Sequence, residues 1–201
     1  LFEKASIDIM VFRYCKNPYL EKIILINKEK KYLIHINGII TFSDIPIKHT
    51  KKISDYFDVY VGMVTGKESV YKNEKLGNIT VLNGINKLNK YILVHTFPSD
   101  NNEINTYLLK HKGELINRKI RKFTEKNWFE WGALRNYKTI LNNIGKKCIY
   151  VNNLTRQKCV AFEGTVQYFG GSLLLLIPKD GDGNCNGDKK IELKNVVDFI
   201  N

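Results

Sequence analysis

Cys148-Ile-Tyr-Val151, Val160-Ala-Phe162, Val166-Gln-Tyr-Phe169 and Leu173-Leu-Leu-Leu-Ile177 follow one another in quick succession. All are short runs of β-branched, aromatic or aliphatic residues, the pattern of buried strands. The polar stretch Thr155-Arg156-Gln157-Lys158 lies among them as a turn. The same pattern continues upstream. Ile7–Tyr14 reads as a strand, Ile23–Ile26 and Tyr32–Ile36 as a hairpin across Lys28-Glu29-Lys30, and Gly38–Phe42 as a further short strand. Val59–Val64, turned by Thr65-Gly66, then Ile79–Leu82 and Ile92–His95 complete the series, and Pro98-Ser99-Asp100 stops it.

Helices are inserted singly. Asp100 is the expected cap of one, with Glu103 at capping-box spacing. Ile104, Leu108, Leu115 and Ile116 form its core-facing stripe, while Lys110, Glu114, Asn117, Arg118 and Arg121 would face outward. Gly113 is positioned to divide it. A second helix fits Tyr137–Asn143, closed by Gly145, and a last one fits Leu193–Ile200. Strands outnumber helices and no βαβ alternation occurs. The fold class expected is α+β, with mostly antiparallel β sheets and a few inserted helices.

The chain has 201 residues, and 43% are hydrophobic, enough for one ordinary domain or a domain with a piece of its neighbour. Its formal net charge of +12 is the unusual quantity. Residues 110–158 hold 13 basic against 3 acidic side chains, and Trp131–Phe162 contains no Asp or Glu. A basic genome-wide composition would spread that excess evenly, so a basic surface patch for a polyanion is expected.

Other classes find little support. No apolar run approaches the ~18 residues that span a bilayer. Leu1-Phe2-Glu3-Lys4 lacks a signal-peptide pattern and reads as the cut edge of a larger protein. Cys15, Cys148, Cys159 and Cys185 form no C-x-x-C pair, so free thiols in a reducing cytoplasm are expected. The four histidines do not cluster, which argues against zinc. Asn17-Pro18-Tyr19 lacks the second proline of an amino-methyltransferase loop. Asp180–Asn184 begins like a calcium loop, but Cys185 and Ile191 stand where Gly and the bidentate Glu are needed. A nuclease would need a carboxylate–lysine metal cluster, and Asp55 with Asp58 is the close pair in a suitable context.

Five segments, in order, carry a resemblance. They are Phe2-Glu-Lys-Ala-Ser-Ile-Asp-Ile-Met-Val-Phe-Arg13-Tyr14, Val61-Gly62…Thr65-Gly66…Tyr71, Tyr107-Leu…Leu115…Arg118, Trp128-Phe129-Glu130-Trp131…Arg135, and Ile191-Glu-Leu-Lys…Ile200-Asn201. Together they resemble the TaqI-like adenine-specific DNA methyltransferases, including the fused restriction-modification enzymes of that type. The resemblance implies that residues 1–47 are the last edge of a catalytic domain and 48–201 a DNA target recognition domain. It also implies that the S-adenosylmethionine site and the Asn-Pro-Pro-Tyr loop lie upstream of Phe2. This chain then holds no cofactor of its own, and S-adenosylmethionine serves the full-length enzyme. Its partners are double-stranded DNA and the missing N-terminal catalytic domain, with no membrane. The chain alone should not methylate.

The resemblance places at Phe2 the aromatic face on which a flipped adenine stacks; an ordinary core role is the alternative. Arg118, Lys119, Arg121 and Lys122 are dense enough to neutralise phosphates, or simply form a solvated helix face. Trp128, Phe129 and Trp131 weigh more toward core than base contact. Arg135 and Asn136 have the chemistry to read guanine and adenine. Thr65, Gly66 and Lys67 read as an exposed turn that could offer amide N–H groups to the DNA backbone, and Arg156 and Lys158 as part of a clamping loop. A different class stays open: a stand-alone basic RNA-binding module.

Overall fold

The computed structural model describes residues 23–26, 29–36, 39–44, 52–153, 157–179 and 192–201. The chain divides into two compact units, Leu1–Lys51 and Lys52–Asn201. In the first, β1 (Ile23–Ile26), β2 (Glu29–Ile36) and β3 (Ile39–Ser43) form an antiparallel sheet in that order. Ile26 pairs with Glu29, so Glu29 and Lys30 belong to β2 rather than to the turn expected at Lys28–Lys30. The expected strand at Ile7–Tyr14 lies outside the described residues, as do Asn17-Pro18-Tyr19 and Asp180–Asn184.

The second unit runs α1 (Ile53–Tyr56), β4 (Phe57–Val61), α2 (Glu68–Tyr71), β5 (Ile79–Leu82), β6 (Leu88–Tyr91), α3 (Asn102–Lys110), α4 (Lys112–Ile116), α5 (Tyr137–Asn143), β7 (Lys147–Asn152), β8 (Ala161–Thr165), β9 (Leu173–Pro178) and α6 (Leu193–Ile200). Four strands make one antiparallel sheet in the order β4-β9-β7-β8, and β5 and β6 pair as a hairpin. The architecture is α+β.

The apolar runs of β7 and β9 are continuous because both faces of the sheet are covered. Successive side chains point to opposite faces. Cys148, Tyr150, Leu173, Leu175 and Ile177 enter the larger core, with Tyr71, Tyr91, Leu108, Leu115 and Ile140. Ile149 and Leu176 enter a smaller one with Phe57 and Ala161, closed by Leu193, Val196, Val197 and Ile200 of α6.

Local chemistry sets several boundaries differently from the pattern reading. Asn101, not Asp100, caps α3: its Oδ1 accepts from the Glu103 and Ile104 amides at 2.9 and 3.1 Å. That moves Glu103 off capping-box spacing. The break between α3 and α4 falls at His111, and Gly113 lies within α4. α5 ends as expected, with Gly145 at φ +86°. Ile92–His95 is not a strand. The Ile92 N–H bonds the Tyr71 carbonyl, the Ile92 carbonyl accepts from Trp131 Nε1, and the Asn78 side chain bonds both Leu93 backbone groups. Those partners replace a ladder. Val166–Phe169 likewise forms no strand ladder: Val166 bonds Gly145 and Lys146, the Tyr168 carbonyl accepts from the Leu82 amide, and the Phe169 carbonyl accepts from the Met63 amide. Asp55 lies in α1, where its carboxylate accepts from the Lys52 amide, and Asp58 lies in β4, so the two do not form a strand pair.

Candidate nucleic-acid interface

Two loops cross the segment that follows β4. The Val64 amide and carbonyl both pair with Ala133, and the Gly132 amide donates to the Thr65 carbonyl. Asn136, at φ 56°, donates from Nδ2 to the Val61 carbonyl at 3.0 Å. From the other side comes Asn117–Phe123, which leaves the end of α4.

Arg118 corrects the expectation of an outward-facing helix residue. The helix ends at Ile116, so the helical wheel no longer applies two residues later. The Arg118 side chain turns inward and is only 8% exposed. Its Nε donates to the Leu115 carbonyl, Nη1 to Thr65, and Nη2 to Trp128 and Glu130, all at 2.7–2.8 Å. The guanidinium lies 3.8 Å over the Phe123 ring and 5.4 Å from Tyr71. Burial lowers its pKa from the ordinary arginine value. Planar forked donors suit this task, because one group meets carbonyls of several segments at once.

Tyr71 completes the junction by donating its hydroxyl to the Phe129 carbonyl at 2.8 Å. Burial pushes its pKa up to about 12. The Trp-Phe-Glu-Trp element is thus held by carbonyl contacts from below. Trp128 is buried at 3% exposure, edge-on to Phe97 at 4.8 Å, with Phe129 and Trp131 in the same core. Trp128 therefore offers no free face to a base in this conformation.

Thr65 is also buried, against the expectation of an exposed turn. Its hydroxyl bonds Glu68 and accepts from the Lys67 amide. The exposed part of the turn is Gly66, at φ +76°. Lys67 pairs with Glu114 at 2.9 Å.

The remaining expected cations stay outside. Lys119, Lys122, Arg135 and Lys158 are exposed, with no ion-pair partner among the described residues. Arg121 is exposed but held, at 2.7 Å from Glu130 and 3.0 Å from the Trp131 carbonyl, over the Phe123 ring. Phe2 and Arg156 lie outside the described residues.

The balance of charge follows from these pairs. The basic stretch contains only Glu114, Glu125 and Glu130 as acids. Glu114 is engaged by Lys67 and His111, Glu125 by Lys112, and Glu130 by Arg121. The hydrogen bond from Lys67, then that from His111, lowers the Glu114 pKa. No acid of the stretch is left to neutralise Lys119, Lys122, Arg135, Lys138, Lys146 or Lys147, so the surface excess persists. Sequence reading missed the role of Glu130, whose signal was its place as the one acid between the tryptophans. It also passed over Ile120, a single apolar residue inside the run Arg118-Lys-Ile-Arg-Lys122.

No established family pattern matches the chain. A stretch of 50 residues, 25% of the chain, is 50% identical to the type II methyltransferase M.MjaIV of Methanocaldococcus jannaschii. The match spans 16% of that protein's length. Over that stretch the chain is related to a type II methyltransferase.

The groove between Asn73–Leu76 and α3 has a volume of about 560 Å³ and is lined by Lys75, Lys110 and Glu103 among others. Among the described residues, no group of three or more His, Cys, Asp or Glu is arranged for a metal ion, and no helix is long and apolar enough to cross a membrane.

Proposed function

We propose that this chain is the DNA target recognition portion of a TaqI-like adenine-specific DNA methyltransferase from a restriction-modification system. The observation that carries the reading is the uncompensated positive charge around the Arg118 junction. Lys119, Lys122 and Arg135 stand exposed on loops that buried hydrogen bonds hold in place. A rigid cationic surface suits a polyanion whose phosphates have fixed spacing. The stretch shared with a type II methyltransferase favours duplex DNA over RNA as that polyanion.

In this reading, residues 48–201 bind and read the duplex, and residues 1–47 are the last edge of the catalytic domain. Chemistry then belongs to the whole enzyme: S-adenosylmethionine and the Asn-Pro-Pro-Tyr loop lie outside these residues, and Phe2 stacks on the flipped adenine. The chain itself binds without methylating, in the cytoplasm. Lys67, Arg121, Asn136, Arg156 and Lys158 supply further contacts. Arg118, Thr65 and Trp128 act from inside, by shaping the loops.

Electrophoretic shift of the 201-residue chain on short duplex DNA across a salt series tests this. Binding should weaken steeply with salt and exceed binding to a structured RNA of equal length. Salt-independent binding, absent binding or tighter binding to RNA would each reject it.

A further inference from the structure

Ile120 sits at the centre of the cationic loop, 42% exposed. A partly exposed isoleucine is ordinary by itself. Its seat is not. A Cβ on Gly132 would stand 2.8 Å from the Ile120 Cγ2 and 2.9 Å from its Cδ1, and a Cβ on Gly66 would stand 2.9 Å from Cγ2. The side chain therefore rests on two bare glycine backbones, and a larger residue at either position would require it to shift. On either side the loop is clamped. Arg118 is fastened to four carbonyls, Arg121 to Glu130 and the Trp131 carbonyl, and Phe123 is buried. Lys119 and Lys122 flank it, exposed and without ion-pair partners among the described residues.

The result is a branched aliphatic group held in position, with an exposed lysine one residue before it and another two residues after it. Its outer face meets water in the free chain. A duplex groove has the complementary layout: anionic rails on both sides and base edges between them. The apolar group that a base edge presents in the major groove is the thymine 5-methyl. We propose that Ile120 is a specificity-determining residue that packs on a thymine methyl, while Lys119 and Lys122 hold the flanking phosphates. This rests on the duplex-DNA reading above.

The test is selection of the chain, and of its Ile120→Ala and Ile120→Val variants, on short duplexes with a randomised centre. The selected sites are then remade with deoxyuridine for thymine. The wild-type chain should select a site containing a thymine whose preference falls about tenfold in Ile120→Ala, the scale expected for losing one apolar contact, and is largely kept in Ile120→Val. Deoxyuridine at that position should cost the wild type a similar factor and cost Ile120→Ala nothing further. Salt dependence should match in all three proteins, since no charge is removed. Absence of duplex binding by the wild type overturns this inference and the function above together. Selective binding that is unchanged in Ile120→Ala, or changed only at a base other than thymine, overturns this inference alone. Circular dichroism and thermal unfolding of the variants, matched to wild type, keep a folding defect from being read as lost recognition.

Discussion

Arg118 donates from Nη1 to the carbonyl of Thr65 at 2.7 Å, across 53 positions of sequence. That bond ties the loop after α4 to the loop after β4. The Nη2 bonds to Trp128 and Glu130 add the third segment. A charged side chain is here a structural joint, and the neighbouring cations owe their positions to it.

Arg118→Lys should therefore behave as a drastic change. An ammonium cannot reach four carbonyls that a planar fork meets in different directions. Stranding buried acceptors and losing charge-assisted bonds should cost about 3 kcal/mol or more. Urea unfolding of both proteins measures this, and a loss below about 0.5 kcal/mol would contradict the joint.

The exposed cations should give the opposite result. A Lys119→Gln, Lys122→Gln, Arg135→Gln triple variant should unfold within about 0.5 kcal/mol of wild type. Its log–log slope of DNA affinity against salt should flatten by roughly two to three units if each cation neutralises a phosphate. An unchanged slope would show that these side chains do not face the duplex.

Gly132→Ala tests the seat of Ile120. The new methyl would meet Ile120 below 3.0 Å and the Val64 carbonyl at 3.3 Å. A cost of about 1 kcal/mol or more is expected from this overpacking. In an Ile120→Ala background the penalty should shrink, because the crowding methyls are gone. A double-mutant cycle by urea unfolding reads the coupling directly.

Stability should fall in alkali. Burial raises the Cys148 thiol from 9.0 to about 12, and the Tyr71 phenol from 10.0 to about 12. Both groups are acids kept protonated by the fold. Above pH 9.0 the unfolded chain loses the thiol proton first, so the folded chain binds more protons. Stability is then full below that pH and declines as pH rises toward 12. Urea midpoints on either side of pH 9.0 check this, and Cys148→Ala should remove the earliest part of the decline. Iodoacetamide should also modify exposed Cys159 in the native chain while sparing buried Cys148.

Much of the fold was legible locally. The limits of α5 and α6, the strand at Ile79–Leu82 and the continuous run of β9 all follow from short-range signals: apolar period, a closing glycine, run length. Ile92–His95 was misread because its apolar residues are buried, yet its backbone bonds are met by the Asn78 and Trp131 side chains rather than a strand. Asn101 displaced Asp100 as cap because both residue types can serve, and only geometry decides which oxygen reaches the free amides.

The candidate interface divides in the same way. Composition by itself determined that positive charge is concentrated in residues 110–158, and that these carry too few acids to balance it. Tertiary structure alone decided which cations are spent inside and which are displayed. Arg118 and Lys119 are adjacent and alike in charge, yet one is 8% exposed and the other lies in solvent. A sequence records charge residue by residue. Whether that charge meets water or a buried carbonyl depends on segments brought together from 53 positions away, which no local pattern encodes.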